Sequence, residues 1–362
     1  MKFKTKVLTL GCIAAALAIG IIISFVFDPQ RVSTRSSYYQ WSTDDALSAA
    51  TEIVIHQADG SDISLERAGK DAPWTTTVNS ISYPVLQTRV SDMLSAISAR
   101  KEYPLRAGNA ASFNSLGLAD SAAKKISVKD STGALIIELL VGNTDSQGDV
   151  YLALGGDGAG SKKEARSGKD TFTTYLSGGA KSWYDLRLFP DHDANDLTAA
   201  SVLSITIDKP ATTGDAPSAA ESYTLSRAGN GWQLSPAVEG RSVETTAVDT
   251  LLTSILDATA SDFVTDAAGT GSTSGGGSVK IVADNGLSYT IQIGAKAEEG
   301  ASSQNVSITS SPAGGKFASS FVYSLGDWSV NQMLKTKDSL LAAPTTDDSA
   351  ASGDATSEST TT

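Results

Sequence analysis

Residues 83–97, YPVLQTRVSDMLSAI, have a pattern that returns in residues 241–255 as RSVETTAVDTLLTSI. Apolar side chains recur in the first stretch every three to five residues, which places them on one face of a helix. One constant offset relates the two stretches, and it also carries Trp74 onto Trp232. The matched positions are Val85 and Val243, Val90 and Val248, Met93 and Leu251, Leu94 and Leu252, and Ile97 and Ile255. Each stretch predicts an amphipathic helix, with Pro84 in the first turn of one and Ser242 as N-cap of the other.

The segments around both helices alternate with a period of two, which indicates β-strands. Hairpins are predicted before the helices by TEIVIHQADGSDISLERAG (residues 51–69) and by LSITIDKP with ESYTLSRAGNGWQLSP (203–210 and 221–236). After the helices, KKISVKDSTGALIIELLVG (124–142) parallels GSVKIVADNGLSYTIQIG (277–294). Four further strands are predicted at DVYLAL (149–154), TFTTYL (171–176), NVSITS (305–310) and SFVYSL (320–325).

Each copy of this pattern predicts an α+β unit of type ββαββββ with a short terminal helix near Trp183 or Trp328. The units occupy residues 51–190 and 198–343, and the duplicated helix covers the sheet of each. Trp74 and Trp232 are expected to close each hairpin onto its helix as core residues. Arg67 and Arg227, which precede them, are expected to be solvated strand positions.

The N-terminal segment predicts a membrane anchor. Residues 7–27 carry no charge, follow three lysines in residues 1–6, and reach about 31 Å as a helix, the thickness of a bilayer core. The lysines favour a cytoplasmic N-terminus, so that the rest of the chain lies outside the cell membrane. Two alternatives are a signal peptide cleaved at residues 16–18 and a lipoprotein acylated at Cys12. Residues 28–50 are expected to be a membrane-proximal linker, with Tyr38, Tyr39 and Trp41 as candidates for the lipid interface.

Composition limits the classes of function. The chain of 362 residues has a formal net charge of −12, which disfavours nucleic acid as a partner. Its single cysteine lies at position 12, so the predicted units can contain neither a disulfide nor a cysteine-based zinc site. Residues 344–362 are rich in Ser, Thr and Asp and predict a disordered tail.

The pattern resembles a bacterial family known as domain of unknown function 4340. The shared features are the strand with Ile53 and Ile55, the hairpin ending at Trp74, the covering helix, the Ser-Leu-Gly-Leu element (residues 115–118), Gly142 and Tyr151. The resemblance covers nearly all of residues 51–343. It implies a membrane-anchored accessory protein, often encoded beside ABC-type transport components similar to those of gliding-motility systems. The second copy departs from the pattern at residues 267–278, AAGTGSTSGGGS, which reads as a flexible stretch.

The motifs that could carry chemistry are incomplete. Asp191, Asp193 and Asn195 have the spacing that opens a calcium loop, but the glycine and glutamate that complete it are replaced by Asp196 and Val202. Residues 191–196 are therefore expected to be an acidic connection between the units. His56 is expected to face solvent from a strand.

Two looser matches carry no chemistry either. Ser121 to Lys124 matches Ser-x-x-Lys without the companion motifs, and residues 155–163 lack the glycine that a phosphate loop needs before its lysine. We therefore predict no catalytic, metal-binding or cofactor-binding residue.

These observations predict a non-enzymatic, single-pass membrane protein whose extracytoplasmic units bind a partner. By resemblance, that partner is a subunit of an ABC-type transport complex or another envelope protein. The alternatives are an extracytoplasmic hydrolase that acts on envelope polymers through carboxylates, and a structural surface spacer or adhesin.

Overall fold

The computed structural model describes residue 17 and residues 37–343, apart from residues 58, 120, 122, 157–163, 213–216, 265–272 and 297–299. The chain divides into two compact units, Met1–Asp185 and Leu186–Thr362. Most of the predicted anchor (residues 7–27), residues 1–6, Cys12 and the predicted tail (residues 344–362) lie outside the described residues. In the described part of the chain, no helix is long and apolar enough to cross a membrane.

Unit 1 is built on a nine-stranded antiparallel sheet in the order β5-β4-β3-β2-β8-β9-β10-β11-β7, and a separate pair is formed by β1 and β6. The strands are β1 (Tyr38–Tyr39), β2 (Ala50–His56), β3 (Asp62–Glu66), β4 (Thr75–Val78), β5 (Ile81–Pro84), β6 (Lys101–Glu102), β7 (Leu105–Ala107), β8 (Lys124–Asp130), β9 (Leu135–Thr144), β10 (Asp149–Leu154) and β11 (Ala165–Lys169). The helices are α1 (Asp44–Ser48), α2 (Gln87–Ser98) and α3 (Phe113–Leu116). Short 3-10 turns lie at Ala110–Ser112, Thr173–Tyr175 and Ala180–Trp183.

Unit 2 has an eight-stranded antiparallel sheet in the order β14-β13-β12-β16-β17-β18-β19-β15. Its strands are β12 (Val202–Lys209), β13 (Glu221–Ala228), β14 (Gly231–Ser235), β15 (Asp262–Phe263), β16 (Gly275–Ala283), β17 (Ser288–Gly294), β18 (Ser303–Ser311) and β19 (Tyr323–Gly326). The helices are α4 (Thr245–Leu256) and α5 (Asp327–Met333), and 3-10 turns lie at Asp193–Asn195 and Lys337–Leu340.

The two repeated stretches are helices, α2 and α4, and each buries its apolar face. The buried apolar residues are Val90, Met93 and Ile97 on α2, and Val248, Leu251, Leu252, Ile255 and Leu256 on α4. The predicted starts of both helices were wrong. Pro84 ends β5, and α2 begins three residues later at Gln87; α4 begins at Thr245, so its N-cap is Glu244 rather than Ser242.

The α+β class is confirmed, while several details differ from the prediction. Residues 171–176 contain a 3-10 turn rather than a strand, and the strand that pairs with β10 is the unpredicted β11. Unit 1 ends in a 3-10 turn at Trp183 rather than in an α-helix. The second half of the predicted linker is part of unit 1, because residues 37–50 include β1, α1 and the buried Trp41.

The Ser-Leu-Gly-Leu element has a structural role on the second face of the unit 1 sheet. Phe113 and Leu118 pack there on Leu140 of β9 in a small apolar cluster separate from the main core. A Cβ at Gly142 would lie 2.3 Å from the carbonyl oxygen of Leu116, so only glycine admits this close approach.

Candidate functional site

The loop with calcium-like spacing is held by contacts within unit 2. The carboxylate of Asp191 accepts a hydrogen bond from Arg187 Nη1 at 2.6 Å, and Asn195 accepts one from Lys316 Nζ at 2.9 Å. His192 lies between the carbonyl oxygen of Leu197 and Oδ1 of Asp257, each 3.0 Å from one ring nitrogen. Across the described residues no group of three or more His, Cys, Asp or Glu could hold a metal ion. The loop is thus bound into the fold through its polar side chains.

Of the other sequence features, His56 lies on β2 and only the lysine of the Ser-x-x-Lys match lies on a strand, while residues 157–163 of the phosphate-loop match lie outside the described residues. His56 Nδ1 is 2.5 Å from Asp62 Oδ1, its cross-strand neighbour on β3, and the histidine side chain is 39% exposed. Lys124 is the first residue of β8, so the Ser-x-x-Lys match does not lie at the start of a helix.

Arg67 and Arg227 are half-exposed, as expected, and Arg227 lies on β13 whereas Arg67 follows the end of β3, but both side chains are held by specific contacts rather than simply solvated. Arg67 donates to the carbonyl oxygens of Ala50 at 2.6 Å and Ser48 at 2.9 Å, and its guanidinium lies 4.6 Å from the ring centre of Trp74. Arg227 donates to two carbonyl oxygens in the same way and also lies 4.6 Å from its tryptophan, Trp232. Both tryptophans are buried, as predicted. Each arginine therefore closes one end of a core by cation–π stacking and backbone hydrogen bonds.

Unit 2 contains a cavity of about 550 Å³ beside α5. Its walls come from the residues that follow β12 and β17, from the first residues of β16 and β18, and from α5. This volume is in the range of small-molecule sites in proteins. The sequence did not reveal the cavity, because its walls come from separate segments that lie far apart along the chain.

The polar side of the cavity is built around Asp327, the first residue of α5. Asp327 forms an ion pair with Lys296, and its other carboxylate oxygen accepts from Gln304 Nε2 at 3.2 Å. Lys209, at the end of β12, is the second lysine of the wall. Pro210 and Leu334 contribute apolar surface, so the cavity offers two lysines and one carboxylate beside an aliphatic wall.

Two local features fix the shape of this cavity. A Cβ at Gly276 would lie 2.1 Å from the carbonyl oxygen of Gly294, so the wall formed by β16 is bare backbone. The hydroxyl of Tyr223 donates to the carbonyl oxygen of Lys335 at 2.7 Å and so holds the chain that follows Leu334. Burial raises the pKa of Tyr223 far above its ordinary value, and the neighbouring carboxylate of Glu221 raises it further. The hydroxyl is thus a stable donor at physiological pH.

Trp328 lies next to Asp327 on α5 and is 74% exposed, whereas Trp183, at the end of unit 1, is completely buried. A tryptophan side chain has a large apolar surface and one N–H donor, and it is enriched at protein interfaces. The exposed side chain therefore makes this part of α5 a candidate contact surface.

The family model described as Domain of unknown function (DUF4340) matches residues 74–275. The match extends over more than half of the 362 residues. The chain belongs to the DUF4340 family. The matched range of this DUF4340 protein starts at the buried Trp74 and ends at Gly275 in the cavity wall. Searches of curated proteins and of solved structures found no match.

Proposed function

We propose that this DUF4340 protein is a non-catalytic binding protein anchored in the cell membrane by residues 7–27, with residues 1–6 in the cytoplasm and both units outside. The uncharged run of residues 7–27 after three lysines supports the anchor and its orientation. The resemblance that suggested the family supports a subunit of an ABC-type transport complex as the partner.

The observation that carries the binding role is the contrast within unit 2. Its histidine, His192, is bound to structural partners, whereas the cavity beside α5 has several polar side chains in its wall and is lined by the helix that carries the exposed Trp328. An open cavity with a few convergent polar groups and a neighbouring aromatic side chain is typical of a binding surface.

The two units are further proposed to be copies of one module. Eight consecutive strands of unit 1, in the order β4-β3-β2-β8-β9-β10-β11-β7, have counterparts in unit 2 in the order β14-β13-β12-β16-β17-β18-β19-β15. The helices α2 and α4 follow β5 and β14, respectively, and each unit has an arginine stacked 4.6 Å from a tryptophan. These agreements support duplication, because unrelated antiparallel sheets have many possible strand orders.

Co-purification from solubilised membranes tests the proposed role. The tagged full-length protein should recover subunits of a membrane transport complex, which mass spectrometry identifies. Trp328→Ala should reduce that recovery about tenfold or more, because an exposed tryptophan at a contact contributes strongly to binding. Leu203→Ala is the matched control, since Leu203 is also exposed in unit 2 but lies on β12. Recovery of no partner, together with measurable turnover of envelope glycans, would instead favour the hydrolase.

A further inference from the structure

Lys209 is the lysine of the unit 2 cavity whose charge is not neutralised by another side chain of the described residues. Lys296 is held by Asp327, which also accepts from Gln304, so these three side chains satisfy one another. The side chain of Lys209, in contrast, has no hydrogen-bond or ion-pair partner among the described residues. Glu221 is the cross-strand neighbour of Lys209, and its carboxylate accepts a hydrogen bond from the backbone N–H of Lys337 at 2.9 Å. Among the described residues, Glu221 forms no ion pair with Lys209.

The charges of the cavity wall therefore favour an anion. Among the described residues, two lysines and one aspartate line the cavity, which leaves one positive charge without a counterion in that part of the wall. A lysine ammonium in a partly enclosed site binds a carboxylate by charge-assisted hydrogen bonds, which are about twice as strong as neutral ones. The strand wall at Gly276 has no side chain, so a ligand can lie against the backbone between Lys209 and Lys296.

The opposite wall limits the size and nature of the anion. Pro210, Val330 and Leu334 present aliphatic surface, and the last two are almost completely buried. A volume of about 550 Å³ accommodates a short aliphatic group as well as its charged end. A highly charged, strongly hydrated ligand would leave this apolar wall unused.

We infer that the unit 2 cavity binds a carboxylate joined to a short aliphatic group, with Lys209 as its counterion. Two sources share this chemistry, the C-terminal residue of a peptide and a free small acid. The inference rests on the proposed binding function and adds the ligand class. It does not depend on the membrane partner, which is tested separately through Trp328.

Isothermal titration of the full-length protein in detergent tests the inference with three probes. N-acetyl-Ala-Ala carries a free carboxylate, its C-terminal amide lacks that charge, and isobutyrate represents a free acid. The acid peptide should bind about tenfold or more tightly than the amide, because a charge-assisted hydrogen bond is lost. Isobutyrate binding as tightly as the peptide assigns the site to free acids, and preference for the peptide assigns it to the C-termini of peptides.

Lys209→Met should weaken binding of the acid peptide by about tenfold or more while leaving the thermal unfolding of the protein unchanged. Lys280→Met is the matched control, since Lys280 is an exposed lysine of β16 outside the cavity wall. Equal affinity for the acid and the amide, absence of heat with both the acid peptide and isobutyrate at millimolar concentration, or equal losses in the two lysine variants would overturn the inference. None of these outcomes would affect co-purification through Trp328, so failure of the ligand class and failure of the binding role are distinguishable.

Discussion

At the residue scale, Arg67 joins two backbone segments to one aromatic ring. Its guanidinium donates to the carbonyl oxygens of Ser48, Ala50 and Lys70 while it stacks on Trp74. Lysine has the same charge, but it lacks the planar fork that reaches several acceptors at once.

Arg67→Lys should therefore lower the free energy of unfolding by about 1–3 kcal/mol, because charged hydrogen bonds of this kind are lost. Urea denaturation followed by tryptophan fluorescence measures the change. Arg100→Lys is the control, because Arg100 is exposed and has no partner among the described residues. An Arg67→Lys variant as stable as this control would show that neither the cation–π contact nor the guanidinium hydrogen bonds of Arg67 stabilise the protein.

Gly276 is a second residue whose role could not be predicted from the sequence. The run of three glycines at 275–277 was predicted to be flexible, but these residues form the first part of β16. Composition alone could not reveal this, because the need for glycine arises from a neighbouring strand, at the carbonyl of Gly294.

Gly276→Ala should destabilise the protein by about 1–3 kcal/mol through overpacking against that backbone. Thermal unfolding compares it with Gly231→Ala on β14, where the nearest atom to a new Cβ is the hydroxyl of Thr245 at 3.8 Å. Equal melting temperatures of both variants and the native protein would contradict the close approach of Gly276 to the backbone of Gly294.

At the element scale, the hairpin turn between β8 and β9 depends on a charged carboxylate. Asp130 accepts hydrogen bonds from the side chain of Thr132 and from the backbone N–H groups of Thr132 and Ala134. These bonds, led by the Thr132 hydroxyl, hold the pKa of Asp130 below its ordinary value of 3.8. A lowered folded-state pKa gives stability that is present above the unfolded pKa and lost as the pH falls through the folded one.

Asp130→Asn should consequently be less stable than the native protein at about pH 6, and the difference should shrink towards about pH 3, because asparagine mimics the protonated carboxyl. Urea denaturation at a series of pH values measures both proteins. Asp249→Asn, which removes an exposed carboxylate from α4, controls for the change in net charge. A difference that stayed constant down to about pH 3 would exclude the charged turn as its cause.

The elements that the sequence predicted are those with a regular apolar period. Strands β2, β3, β12 and β13 and helices α2 and α4 bury one face each, so their periods were visible. Strand β11 has no such alternation, because its first four residues are all buried. Among them is Arg166, which donates to the carbonyl oxygen of Tyr103 and stacks 4.1 Å from the ring centre of Tyr39. Long-range polar contacts of this kind leave no local pattern in the sequence.

At the scale of the whole molecule, the sequence indicated the proposed duplication better than it indicated the candidate site. Matched apolar positions predicted two helices in equivalent places, and the two sheets have the strand orders that a duplication would produce. The cavity lies at the start of β16 and along α5, the helix that carries the exposed Trp328. These segments lie far apart along the chain, and only the folded unit brings Lys209, Lys296 and Asp327 together.

The central claim of this account is that the binding units of this DUF4340 protein lie outside the cell membrane, and protease treatment of intact spheroplasts tests it most directly. A protein with an epitope tag after Thr362 should lose the tag to protease added outside, while a cytoplasmic protein in the same cells stays intact. A tag that survives until the spheroplasts are lysed would contradict the claim.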